Sequence, residues 1–186
     1  MTQLFEIVCF LWIGSELALL IFRRSKREDQ NRDSGSIVWL NAVIYGSLSI
    51  AIAFSVARVG HLKHYGILLP RLGLFLIIAG LAIRWIAILT LRKYFTVNVA
   101  IQSGQQIVKS GLFRFLRHPS YCGSIISFIG LALTFANWIS LSVILVPITL
   151  AFVMRIHIEE RALTEAFGFE YEEYCRSTWR LLPWIY

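Results

Sequence analysis

The amino-acid sequence predicts an all-α integral membrane protein of about five helices, the last two folded into a hairpin. Three observations predict it. Of the 186 residues, 57% are hydrophobic and only 16% charged, a balance that ordinary soluble domains do not show. Apolar runs recur at about the 20 residues that one helix needs to cross a bilayer. Lys and Arg gather at the ends of those runs, and six Trp within a 14% aromatic content supply interfacial anchors.

The first apolar run is 4–22, beginning almost at Met1 with no basic stretch and no small-residue cleavage site before it. It reads as a retained membrane helix and not a signal peptide. The second is 37–57 and the third 70–91. The last apolar block, 121–154, is too long for one span and carries Ala136-Asn137 before Trp138. It divides there into a tight hairpin of 121–136 and 138–154.

Cation placement gives the expected orientation. The loop between the first two runs holds five Lys or Arg, the 58–71 connection three, the 92–120 segment five and the tail from Arg155 four. Positive-inside counting puts the first loop, 92–120 and the C-terminus in the cytoplasm. The formal charge of +7 therefore serves membrane topology, and a nucleic-acid partner is not expected. Cys9, Cys122 and Cys175 lie far apart without CxxC spacing, so neither a disulfide framework nor a metal site follows.

One domain spans 1–186. Its first 91 residues read as membrane scaffold, whereas 92–186 is polar, aromatic and dense in motifs. In "RHPSY", Pro119 suits the first turn of a helix, whose positive end seats a carboxylate or phosphate. His118 and Ser120 add directional hydrogen bonds, and Tyr121 an aromatic face. Gly123, Ser127 and Gly130 follow as a small-residue stripe for close packing. An interfacial anchor, with Arg117 and His118 reaching for water, is the plainer reading of each residue singly.

Arg155 and Glu159 are four apart and share a helix face; Glu160 and Arg161 turn away from it. An intrahelical ion pair at a membrane exit is the plainer reading. A helix leaving the bilayer for cytoplasm, however, needs cations and not a Glu-Glu pair, and ionisable groups at membrane depth are functional candidates. Beyond them, "FGFEYEEYCRSTWRLLPWI" reads as a short amphipathic helix ending near Pro183 and lying on the membrane surface. Val97, Val99 and Ile101 alternate like a strand before Gln102 and a turn at Gly104. Such extended backbone offers N–H and C=O groups to whatever lies against it, an adenine edge for example.

Together, "YFTVNVAIQSGQQIVKSGLFRFLRHPSYCG", the hairpin and "RIHIEERALTEAFGFEYEEYC" resemble the isoprenylcysteine carboxyl methyltransferase family, from Tyr94 to the C-terminus. The resemblance implies methyl transfer from S-adenosylmethionine to a lipid-linked acceptor, with the cofactor in a cytoplasm-facing pocket and the lipid entering sideways. It implies a cofactor lining of Gln102, Gln105, Ile107, Val108, Phe113, His118, Pro119, Ser120, Tyr121 and Glu159. Arg155 matches a substrate-contacting arginine, so that Arg155 and Glu159 form the implied catalytic pair. Gln105 stands where His is usual in the family's eukaryotic members, and Phe113 where Tyr is usual.

Those roles are chemically sensible. His118 and the helix start at Pro119 suit the cofactor carboxylate, Glu159 its ammonium and Tyr121 its sulfonium. Arg155 suits a carboxylate acceptor held by two hydrogen bonds. An ionised carboxylate needs no general base, and displacement at a sulfonium needs no metal. An amine acceptor, as in phospholipid N-methylation, would find an arginine a poor partner. Compactness suggests a prokaryotic member in the cell inner membrane. An NADPH-dependent membrane enone reductase and a non-catalytic membrane interaction protein are the other readings. Whether Arg84 pairs with Glu6 or Glu16 is not legible in the chain.

Overall fold

The computed structural model describes residues 2–22, 30–31, 35–62, 67–97, 99–102 and 104–182. They form six helices: α1 (Thr2–Phe22), α2 (Ser36–Val56), α3 (Leu68–Leu91), α4 (Pro119–Thr134), α5 (Trp138–Phe167) and α6 (Phe169–Arg176). Short 3-10 turns at Arg92–Tyr94 and Gly111–Arg114, and two-residue strands β1 (Gln30–Asn31) and β2 (Ala100–Ile101), complete the elements. Among the described residues, α1, α2, α3 with its following turn, and α5 are long and apolar enough to cross a membrane. The apolar α4 is shorter. The fold is all-helical and of the integral membrane kind, as the composition requires.

The α3–α4 pair is the most extensive helix contact, and its closeness comes from small residues. A Cβ added at Gly130 would meet the Gly73 carbonyl oxygen at 2.5 Å, and one at Gly123 would meet that of Gly80 at 2.5 Å. Between them Ser127 Oγ donates to the Ile77 carbonyl at 3.3 Å. Lipid competes as an apolar solvent, so close backbone approach does what burial does in water. Gly130→Leu is expected to cost about 1–3 kcal/mol, read as a lower melting temperature in detergent. Gly14→Leu on α1, where nothing lies within 4 Å, is expected to cost nothing.

The hairpin turns where Ala136-Asn137 stands. Asn137 caps α5 by accepting hydrogen bonds from the Ile139 and Ser140 N–H groups at 2.9 and 3.2 Å. Its amide donates to the Val59 carbonyl at 2.7 Å, which ties the turn to the end of α2. The second half of the hairpin is longer than the 138–154 expected, since α5 continues to Phe167. At 1.5 Å per residue it is about 45 Å long, so it overhangs a bilayer core of about 30 Å. The charges from Arg155 onward sit on that overhang.

Two further expectations need correction. The amphipathic helix after Gly168 stops at Arg176, well before Pro183, which lies outside the described residues. It stops because the chain turns back: the Arg117 guanidinium takes the carbonyls of Cys175 at 2.9 Å and of Thr178, and Trp179 pairs alongside Leu116. The extended 97–101 stretch shortens to β2, which pairs antiparallel with β1 through Gln30↔Ile101 and Asn31↔Ala100. Its backbone groups are thus met by the α1–α2 connection of the same chain. The five basic residues of that connection, 23–32, and Lys63 of the next lie outside the described residues.

These pairings set the two ends of the bundle apart. At one end the α2–α3 connection meets the hairpin turn through Leu62 N–H to the Ala136 carbonyl at 2.7 Å. At the other end β1, the 92–118 segment, the overhang of α5 and α6 converge. The site lies there.

Candidate functional site

Residues 95–108 run mostly without helix or strand and cover the first turn of α4 and the overhang of α5. The pocket they enclose holds about 120 Å³. Of the eleven residues implied by the resemblance, all but Gln102 line this one pocket: Gln105, Ile107, Val108, Phe113, His118, Pro119, Ser120, Tyr121, Arg155 and Glu159. Gln102 instead shapes the loop. Its side chain donates to the Lys93 carbonyl at 2.9 Å, and its N–H donates to Gln105 Oε1 at 2.9 Å. The glutamine that stands in place of the family's His is thus a brace for its own loop as well as a wall residue.

Helical spacing puts Arg155 and Glu159 on one face, and Tyr121 from α4 joins them. The Tyr121 hydroxyl donates to Glu159 Oε2 at 2.7 Å and accepts from Arg155 Nε at 3.1 Å. Arg155 is 3% exposed; it also donates to Ser36 Oγ at 2.7 Å and to the Val97 carbonyl. One guanidinium therefore joins α5, α4, the start of α2 and the covering loop. The His118 and Tyr121 rings lie nearly parallel, 5.5 Å apart.

His118 has the environment of a ligand-binding group. It is 5% exposed, and its Nδ1 lies 3.9 Å from Glu159 Oε2. Its Nε2 lies 3.4 Å from Glu160 Oε1 but out of alignment, and it makes no hydrogen bond among the described residues. The hydroxyl of Tyr171, on the wall of the same pocket, is also buried without a hydrogen bond. Unsatisfied buried polar atoms are costly; His118 Nε2 is relieved in part by the nearby Glu160 carboxylate, and Tyr171 offers its hydroxyl at the pocket wall. Burial raises both tyrosines of α6, Tyr171 strongly and Tyr174 to about 12. Both therefore stay protonated donors, and Tyr174 spends its proton on the Phe113 carbonyl at 2.7 Å.

Glu160 does not merely face away. It is buried at 8% exposure and forms the hub of a clasp behind the pocket. Arg117 Nε donates to Oε1 at 2.8 Å and Arg180 Nε to Oε2 at 2.8 Å. Residues Arg117 and His118 also donate their N–H groups to the Trp179 and Arg180 carbonyls at 2.7 and 3.1 Å. The sequence signals the carboxylate through its Glu-Glu step but not its partners, which lie 43 and 20 residues away. Tyr94, Gln106 and Tyr171 are wall residues that spacing alone did not mark.

A second cavity of about 360 Å³ opens inside the helical part, walled by α1, α2 and α4. Its walls are nearly all apolar, including Trp12, Leu40, Ile44 and Phe128. That volume lies in the usual small-molecule range of about 300–1,000 Å³. The two cavities share four wall residues: Phe95, Thr96, Tyr121 and Arg155. A polar pocket at the membrane end and an apolar chamber within it thus meet at one phenol and one guanidinium.

Fold and site define an integral membrane protein with a polar pocket joined to a lipophilic chamber. The chain belongs to the isoprenylcysteine carboxyl methyltransferase family, whose model matches residues 72–165. It is 35% identical over 115 residues to protein-S-isoprenylcysteine O-methyltransferase A of Arabidopsis thaliana, covering 61% of this chain and 58% of that protein. It is 31% identical over 150 residues to a probable protein-S-isoprenylcysteine O-methyltransferase of rice, covering 75% and 78%. Among solved structures it is similar to the eukaryotic intramembrane Ras methyltransferase ICMT, with a TM-score of 0.61 and 26% identity. That match covers 82% of this chain and 53% of the other. The expectation of a prokaryotic inner membrane finds no support in these eukaryotic relatives.

Proposed function

We propose that the protein transfers a methyl group from S-adenosylmethionine to the carboxylate of a lipid-linked, isoprenylcysteine-like acceptor. The observation that carries this reading is the meeting of the two cavities at Tyr121 and Arg155. A methyl donor and a lipophilic acceptor approach from different solvents, and the reacting atoms need a common wall. S-adenosylmethionine, when bound, supplies an electrophilic methyl group on a sulfonium.

The chain's own residues account for the rest. The first turn of α4, with His118 and Ser120, faces a carboxylate with donors and a positive dipole end. Glu159 offers its carboxylate to an ammonium, and Tyr121 its ring face to a sulfonium. Arg155 orients an acceptor carboxylate by charge-assisted hydrogen bonds. That acceptor is already ionised at neutral pH, so positioning and exclusion of water are the catalytic work. The apolar chamber takes the isoprenoid tail. We take the pocket end as cytoplasmic, in keeping with the cation distribution along the sequence. At about 120 Å³ the pocket is small for a nucleoside, so on this reading it widens when the ligand binds.

Calorimetry on detergent-purified protein tests the reading. S-adenosylmethionine and its demethylated product are expected to bind, and Glu159→Gln to weaken binding by at least tenfold at unchanged melting temperature. Absence of binding to folded wild type, with binding of reduced nicotinamide dinucleotide instead, would move the reductase reading ahead.

A further inference from the structure

The proposed reaction does not use Arg84, which lies about two turns from the C-terminal end of membrane helix α3 and is paired with Glu16 of α1. Arg84 Nε and Nη2 donate to the two oxygens of Glu16, both at 2.7 Å. The remaining terminal nitrogen, Nη1, donates to Ser120 Oγ at 3.0 Å and to Ser124 Oγ at 2.9 Å. The Arg84 side chain is 12% exposed and that of Glu16 35%. Ion pairs at membrane depth are expensive and serve a function by default.

The surroundings say which function. Glu16, Arg84 and Ser124 line the lipophilic chamber, whereas Ser120 lines the polar pocket. One guanidinium therefore lines the chamber and holds a serine of the pocket. Its Glu16 side also holds the most weakly packed helix of the bundle. Among the described side chains of α1, Val8 and Leu19 alone are buried, while Phe10, Leu11 and Ile21 are strongly exposed. Among the described residues α1 packs chiefly on α3, with Trp12 reaching Phe128 of α4, and it makes no extensive contact with α2. Yet α1 and α2 together wall the chamber, through Cys9, Trp12 and Leu17 on one side and Leu40, Ile44 and Leu48 on the other. The chamber is the gap between them.

We infer that Arg84 is a positioning residue with two separable halves: its fork to Glu16 sets the α1 wall of the acceptor chamber, and its hydroxyl contacts set the first turn of α4 in the cofactor pocket. This rests on the proposed methyl-transfer reading. The halves separate chemically. A lysine at 84 can pair with Glu16 but cannot also span two serine hydroxyls, because its ammonium is a point charge on a flexible stem. A glutamine at 16 removes the charge that holds α1 and leaves the serine contacts in place.

The test uses the full chain with N-acetyl-S-farnesylcysteine as acceptor probe, in a Cys122→Ser, Cys175→Ser background. Glu16→Gln is expected to raise KM for the probe about tenfold and leave the Kd for S-adenosylmethionine within twofold. Arg84→Lys is expected to do the reverse, and Arg84→Gln both. Labelling of Cys9 by a membrane-permeant maleimide reads the wall independently of turnover. It is expected to quicken in Glu16→Gln and Arg84→Gln, and to slow in wild type when the probe is present. Variants that lose melting temperature alone, with KM, Kd and Cys9 labelling unchanged, would overturn the inference and leave a structural pin. A wild type that binds no S-adenosylmethionine would instead overturn the function proposed, while the Cys9 rates would still report on α1.

Discussion

Glu160→Ala is expected to lower the stability of the folded protein by about 3–5 kcal/mol, the range for removing one partner of a buried ion pair. Two guanidiniums meet its carboxylate at 2.8 Å, and its side chain is 11% exposed. Without it Arg117, 10% exposed, keeps its charge in a place that no longer offers a counter-charge from Glu160. Arg180 is about a third exposed and water relieves part of its share. For a chain of this size the loss corresponds to a fall in melting temperature of roughly 10 °C. The exposed Glu173 on α6 is the control, and Glu173→Ala is expected to change nothing. Equal melting temperatures for the two variants would mean the clasp contributes little. Because Glu159 is adjacent, the pair also separates roles: Glu159→Gln is expected to lose ligand at full stability, and Glu160→Ala stability first.

Arg155→Ala is expected to lower turnover about 100-fold or more, the usual cost of removing a charge-stabilising donor from a reacting centre. Of the residues shared by both cavities it alone carries a full charge. The affinity for S-adenosylmethionine is expected to change by less than threefold, since the cofactor contacts proposed are on α4 and Glu159. The variant also loses the hydrogen bonds to Ser36 and the Val97 carbonyl, so its melting temperature is measured alongside. Arg155→Lys keeps the charge and loses the planar fork; its activity is expected to lie between wild type and alanine. Turnover that survives Arg155→Ala would point to an acceptor without a carboxylate. Phospholipid amines would be the next substrates to test.

Much of this architecture is legible in the chain because bilayer thickness makes span length a strong constraint. The hairpin break is legible for a local reason, since an Asn before a long apolar helix caps it in the way Asn137 does. The end of α5 is not, because the apolar run stops at Met154 while the helix continues through the charged Arg155, Glu159 and Glu160 to Phe167. In the fold they face a pocket and a clasp built by residues 177–182. Helical periodicity separates Glu159 from Glu160 by face. It does not say that both faces are covered, which depends on where the tail returns. Gln102, matched by motif, turns its side chain onto the Lys93 carbonyl and braces the loop, a contact that no local spacing announces. The Glu16–Arg84 pair spans 68 positions, and nothing in local spacing chooses Glu16 over Glu6.

The backbone pairing of residues 115–118 with 179–180 also orders events during synthesis. Every membrane helix, and every pocket residue up to Glu159, precedes Trp179 and Arg180 in the order of synthesis. Until then Arg117 lacks its carbonyl partners and the wall beside His118 is missing. The helical bundle and the pocket wall beside His118 are thus built from separate stretches of chain, and shortening the protein before residue 179 is expected to leave the bundle and remove that wall.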